Sequence, residues 1–189
     1  MSVDSYTTTG FDPNGTLPVP GNPLGNPKYP VGGSFIPDVI YTNNRVQGNI
    51  GGGGANWIDL DTTVYNKSLV LTYNYAHGGA TIDTSLVVPY EPTILSSADQ
   101  VNEFLTTVAS KPTSVPWTSF NAIFSIWIGI NDIGNTFYLS GDRNTFDDTL
   151  LSAEFALVQK LVCFFLAFQV SCLLTCFQIP VVCCCPSTL

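Results

Sequence analysis

The run "IFSIWIGI", residues 123–130, is apolar on both of its alternating faces. A strand with one face in water alternates apolar with polar residues. A strand apolar on both faces belongs to a sheet covered on both sides, and such sheets are mostly parallel. The run closes on Gly129 and Ile130, and Asn131 and Asp132 follow directly. An amide and a carboxylate thus stand where a buried strand leaves the core. In open parallel sheets that end of the strand is where ligands bind.

The flanking segments supply the other layers. "SLVLTYNYA", 68–76, is a short β-branched and aromatic run, and "HGGAT" after it is a tight glycine turn, so the pattern predicts a strand and a turn. In "SSADQVNEFLTTVASKP", Ser97 stands three residues before Gln100, a capping-box spacing. Val101, Phe104, Leu105 and Val108 then repeat as one face of a helix that stops near Pro112. "TFDDTLLSAEFALVQKL" predicts a second helix, with acids in its first turn and Leu151, Phe155 and Val158 on its inward stripe. Strand, glycine turn, helix, buried strand, polar turn and helix is the alternation of an α/β fold with helices on a mainly parallel sheet. The residues from Thr7 to Gly54 are mostly loop, rich in proline from Pro13 to Pro37.

Composition limits the partners. Six Lys and Arg against 14 Asp and Glu give a net charge of −8, which argues against nucleic acid as a partner, since phosphate binding needs a basic face. The acidic, proline- and glycine-rich chain suits a secreted protein. Two N-x-S/T sequons, at Asn14 with Thr16 and at Asn66 with Ser68, agree with that reading. Met1 is followed by "SVDSYTTTGF", which has neither the basic nor the apolar region of a signal peptide. The reading is a cytosolic protein or a true start upstream of Met1.

Three short polar motifs follow strand positions in order: "VDSYT" (3–7), "NYAHGGAT" (74–81) and "GIND" (129–132). Together they resemble the blocks of the GDSL or SGNH hydrolases. The wording "DSYTTTGFDPNGTLP", "GGANWID", "NYAHGGATID" and "WIGINDIGN" looks most like the fungal secreted branch that includes the acetylesterases of carbohydrate esterase family sixteen. The resemblance covers roughly residues 3 to 160. It implies a flavodoxin-like three-layer α/β/α fold and a serine esterase without cofactor or metal. Its substrates would be small acyl esters, with acetyl groups on carbohydrates preferred and long-chain lipids the alternative.

Carried over by position, Ser5 matches the nucleophile, in "VDS" where the family has GDS. Gly79 matches the backbone oxyanion donor, with Gly78 the second choice, and Asn131 matches the side-chain oxyanion donor. Asp4 and Asp132 are expected to hold their loops through backbone hydrogen bonds, and Gly129 opens the "GIND" turn. A tetrahedral oxyanion needs donors converging on one oxygen; a glycine lets the backbone approach, and an Asn offers N–H without charge. The bland alternative makes all three motifs caps and turns.

The family's base is a histidine in a late D-x-x-H block. The one histidine here is His77, inside the second motif, where it reads as a loop residue rather than a substitute base. The expectation is therefore an SGNH domain over 1–160, incomplete at both ends and with little or no activity. A non-catalytic carbohydrate-binding remnant is the competing reading, with Trp57, Trp117, Trp127 and the tyrosines suited to sugar stacking and a core role for Trp57 and Trp127 as its alternative.

After Lys160 an apolar tail, 161–189, departs from the family pattern and carries all six cysteines, at Cys163, Cys172, Cys176, Cys183, Cys184 and Cys185. Three adjacent cysteines cannot tie distant loops together, and no paired CxxC spacing suits zinc. The tail reads as a membrane anchor, an acylated segment, or, preferred, translation into a retained intron beginning at Val162–Cys163. The segment 31–51 reads as a further insertion.

Overall fold

A computed structural model describes residues 2–3, 5–26, 57–118 and 120–166. Asp4, the 31–51 insertion and the tail beyond Leu166 lie outside the described residues. The elements in chain order are β1 (Ser2–Val3), α1 (Trp57–Thr63), α2 (Ser97–Thr107), β2 (Ile126–Trp127), α3 (Ile130–Thr136) and α4 (Arg143–Leu166). β1 and β2 pair in parallel, Ser2 opposite Ile126 and Val3 opposite Trp127. Among the described residues the sheet is this one pair. α2 lies against both β1 and α4.

The apolar run at β2 is packed on one face, where its side chains are half-buried, and not on two. Phe124 and Ile126 pack on the main core cluster around Phe104, and Ile128 packs on a second cluster of Ile82, Val87 and Leu150. Ile123 and Trp127 point outward, 93% and 62% exposed. Period two is thus kept, and helices α2 and α4 cover only the side that carries the even-numbered residues. The main core is built from edge-to-face aromatic pairs running from Phe11 to Tyr75, Phe104 and Phe124. Such pairs contribute about 0.5–1.5 kcal/mol each beyond their buried area.

α2 carries the expected buried stripe of Val101, Phe104 and Val108, but its cap sits one residue earlier than the spacing predicts. Ser96 is the N-cap: its Oγ accepts from the Asp99 N–H at 3.2 Å, and Asp99 Oδ2 accepts from the Ser96 N–H at 2.9 Å. Ser97 is buried inside the helix, and Gln100 turns back to donate to the Leu95 carbonyl at 3.1 Å. Both serines have a suitable partner three residues on, so spacing alone does not choose between them. The box that forms is Ser96 with Asp99.

α4 differs from expectation in phase and start. The inward residues are Leu150, Ala153, Leu157 and Leu161, while Leu151 and Phe155 are half-exposed. Apolar residues occupy most of the circumference of this helix, so its neighbours choose the buried stripe: Ile82 and Val87 at Leu150 and Ala153, and the cluster containing Val101 and Phe104 at Leu157 and Leu161. Asp142 Oδ1 accepts from the Asn144 and Thr145 N–H groups at 3.0 and 3.3 Å. The helix therefore starts at Arg143 and its acids fall in the second turn. It runs without a break past Lys160, and Leu161 is buried in the main core.

Residues 68–76 form no ladder. Leu69 has a positive φ of 54°, and the segment beyond it is tied largely by side chains, apart from one main-chain bond from the Thr72 N–H to the Pro23 carbonyl at 2.9 Å. Leu69, Val70 and Leu71 are exposed, and the chain here is buried only from Thr72 to Ala76, with Tyr73 half-buried. No helix among the described residues is long and apolar enough to cross a membrane.

Candidate active site

Gly79 sets the geometry of the central loop. Its φ is +83°, and a Cβ built on it would stand 2.3 Å from Tyr90 Cε1 and 2.8 Å from Ile94 Cδ1. The position therefore needs glycine both for its backbone conformation and for the close approach of the Tyr90 ring. The Ala80 N–H closes the turn onto the His77 carbonyl at 3.2 Å.

The residues just after it, 80–82, are bonded from two directions. At the N-terminus of α2, where main-chain N–H groups have no partner within the helix, Ser97 and Ala98 donate to the Thr81 and Ile82 carbonyls at 2.8 and 3.1 Å. From α3, Asn131 Nδ2 donates to the Ala80 carbonyl at 2.8 Å. The next residue, Asp132, is buried, and its two carboxylate oxygens accept from the Ile82 N–H at 3.0 and 3.2 Å. Thr81 Oγ1 completes the set by donating to the Val87 carbonyl at 2.9 Å. Adjacent residues of one helical turn thus grip a loop about fifty residues earlier in the chain.

α3 can offer both side chains because Gly129 precedes it with φ +116°, which turns the chain sharply out of β2. A Cβ on Gly129 would meet nothing, so the glycine serves backbone conformation alone. Arg143 holds the far end of α3 by donating to the Thr136 carbonyl at 3.1 Å.

Ser5 arrives from the other side. It lies in the turn that follows β1, and its Cβ is 3.8 Å from the point where a Cβ on Gly78 would stand. The loop after it is fastened to the 74–76 segment: Asn74 Nδ2 donates to the Thr7 carbonyl at 2.6 Å, and Thr8 Oγ1 donates to the Ala76 carbonyl at 2.8 Å. Ser5, Gly78, Gly79, Asn131 and Asp132 are therefore gathered on one loop, residues 78–82. Asp4 lies outside the described residues.

Asn74 is a structural member of this site that sequence reasoning passed over. An amide inside the otherwise apolar run "VLTYNYA" was the available signal, since a buried amide requires partners. Tyr90 on Gly79 had no such signal.

His77 stands beside this cluster. Burial lowers its pKa below the ordinary 6.5, and the negative charge of Asp99 pulls it partly back. Below Asp132, burial raises the pKa of Glu154, and the Asp132 charge raises it further.

The three tryptophans have different settings, and the core role given as the alternative for Trp57 and Trp127 does not hold. Trp117 is the packed one, between Phe104 and Phe124, with its Nε1 donating to the Val108 carbonyl at 2.8 Å. Trp57 and Trp127 are both exposed, although Trp57 Nε1 donates to Thr7 Oγ1 at 3.1 Å and so braces the loop after Ser5.

A hydroxyl, a main-chain N–H and a carboxamide are among the groups that acyl transfer through a covalent intermediate uses. No family model matches the chain, and no solved structure matches it. Similarity to a curated protein is substantial: an acetylesterase from Thermothelomyces thermophilus is 43% identical over 135 residues, a match covering 71% of this chain and 39% of that relative.

Proposed function

We propose that the chain is part of a serine esterase of the GDSL/SGNH type, built on a three-layer α/β/α domain and acting on small acyl esters, acetyl groups on carbohydrates foremost. Similarity to an acetylesterase supports ester hydrolysis. The observation that carries the reading is the gathering of Ser5, Asn131 and Asp132 on the loop 78–82.

In this reading the Ser5 hydroxyl attacks the ester carbonyl. The oxyanion that forms accepts from the Gly79 N–H and from the second N–H of Asn131 Nδ2, the first being held by Ala80. The alcohol leaves, an acyl-serine remains, and water releases the acid. Asp132 is a positioning residue, fixing the loop through the Ile82 N–H. An extracellular location belongs to the same reading.

The proton of Ser5 must go to a base, and His77 is the single histidine of these 189 residues. It stands two residues before Gly79 in the same loop, and its carbonyl closes the turn. The polypeptide on its own is proposed to turn over slowly, because loss of the base from a Ser–His unit costs on the order of a millionfold in turnover. The test is hydrolysis of a short-chain aryl acetate by this polypeptide with added imidazole as an external base. Imidazole-dependent turnover is expected, absent in Ser5→Ala and reduced about a hundredfold or more in Asn131→Ala. Equal rates for the Ser5→Ala protein and the parent would sink the assignment.

A further inference from the structure

The two sequons lie in opposite structural settings. Asn14 is exposed in the turn from Asp12 to Gly15. That turn is held without its side chain: the Gly15 N–H donates to the Asp12 carbonyl at 2.9 Å, and the Asn14 N–H donates to Asp12 Oδ1 at 2.8 Å. Asn26 braces it from beneath, donating to the Asp12 and Thr16 carbonyls at 2.8 Å each and accepting from the Asp12 N–H at 3.0 Å. Thr16, the hydroxyl residue of the sequon, is also exposed.

Asn66 is the reverse case. Its Nδ2 donates to the Thr62 carbonyl at 2.8 Å and to the Val70 carbonyl at 2.7 Å, while its Oδ1 accepts from the Val70 N–H at 2.6 Å. Both amide hydrogens are in use, and the amide joins the end of α1 to the chain that follows.

We infer that Asn14 is an N-glycosylation site of the folded protein and that Asn66 is not. Transfer from a lipid-diphosphate-linked oligosaccharide forms a bond between Asn Nδ2 and the anomeric carbon. The bond from that carbon to the diphosphate oxygen breaks, one amide proton is lost, and the lipid diphosphate leaves with the electron pair. At Asn14 the amide is on the surface and no bond of the turn is given up. At Asn66 the transfer removes a hydrogen that the fold uses and places a sugar ring between two carbonyls already at hydrogen-bond distance. Chains glycosylated there cannot close the 66–70 loop as the structure has it.

The inference rests on passage through a secretory pathway, as the extracellular reading holds. The experiment supplies a leader so that natural targeting and ester hydrolysis are not at issue. The full chain is expressed behind a cleavable secretion signal in a eukaryotic host. The folded, protease-resistant fraction is weighed before and after enzymatic removal of N-glycans in heavy-oxygen water, which marks each former attachment site as a labelled aspartate. One glycan, at Asn14, is expected. Thr16→Ala should abolish the mass shift, since it removes the acceptor hydroxyl and leaves the Thr16 carbonyl to Asn26. Ser68→Ala, which deletes the second sequon without touching the Asn66 amide, should leave the shift whole. An unoccupied Asn14, or Asn66 occupied to a similar extent in the folded fraction, overturns the inference.

Discussion

At the scale of single residues, the candidate site is controlled by what each side chain is already bonded to. His77 is the clearest case, because it is the one histidine of the chain and gives a single imidazole signal. Burial favours its neutral form, so just below pH 6.5 the folded protein binds fewer protons than the unfolded chain. The stability contributed by a neutral His77 is present above that pH and is lost as pH falls toward the folded pKa. An NMR titration is expected to place the midpoint below 6.5. Asp99→Asn should move it lower still, since the carboxylate is the influence that raises it; a rise would contradict the arrangement. The resemblance of three short motifs singled out Ser5, Gly79 and Asn131 from the sequence, and the structure brings Gly78 close to Ser5 and Ala80 onto Asn131. Their partners were not legible, because Ala80 and Ile82 contribute main-chain groups, which carry no side-chain signature.

At the scale of elements, legibility followed the narrowness of the apolar stripe. α2 has a narrow one, so Val101, Phe104 and Val108 could be read directly as its buried face. α4 is apolar nearly all round, and its phase is set by neighbours distant in sequence. The distinction is measurable in denaturant. Leu150→Ala, at a site 6% exposed, is expected to cost about 2–4 kcal/mol. Leu151→Ala, at a site 49% exposed, should cost under about 1 kcal/mol. The reverse order would restore the stripe that spacing suggests. The segment 68–76 failed for a different reason: β-branched and aromatic content reports residues suited to a strand, and it does not report whether a hydrogen-bonded partner lies alongside. The same limit explains β2, where apolar residues on both sides were read as burial although Trp127 faces outward.

At the scale of the whole molecule, charge and burial act together. The chain carries a net charge of −8, and burial raises the pKa of two of its acids, Glu103 and Glu154. The charge of Asp12 adds to the first and that of Asp132 to the second. Each binds a proton more readily when folded, so their contribution to stability falls as pH rises from their ordinary value of 4.5 through the raised pKa. His77 acts in the opposite direction below 6.5. The denaturant midpoint of the Glu103→Gln, Glu154→Gln double variant is therefore expected to exceed the parent's at neutral pH, with the advantage vanishing toward pH 4. An advantage that persisted unchanged at low pH would mean that the carboxyls are not the cause.

The bond from Asn131 to Ala80 also decides which end of an ambiguous group faces which way. A carboxamide can present oxygen or nitrogen after a half-turn, and the two outcomes have opposite polarity. Here the carbonyl of Ala80 accepts only the nitrogen, so the half-turn is forbidden as soon as the chain has folded. Any oxygen that later settles beside this side chain meets a donor whose direction was chosen in advance, and the entropy of choosing was spent long before a ligand arrived.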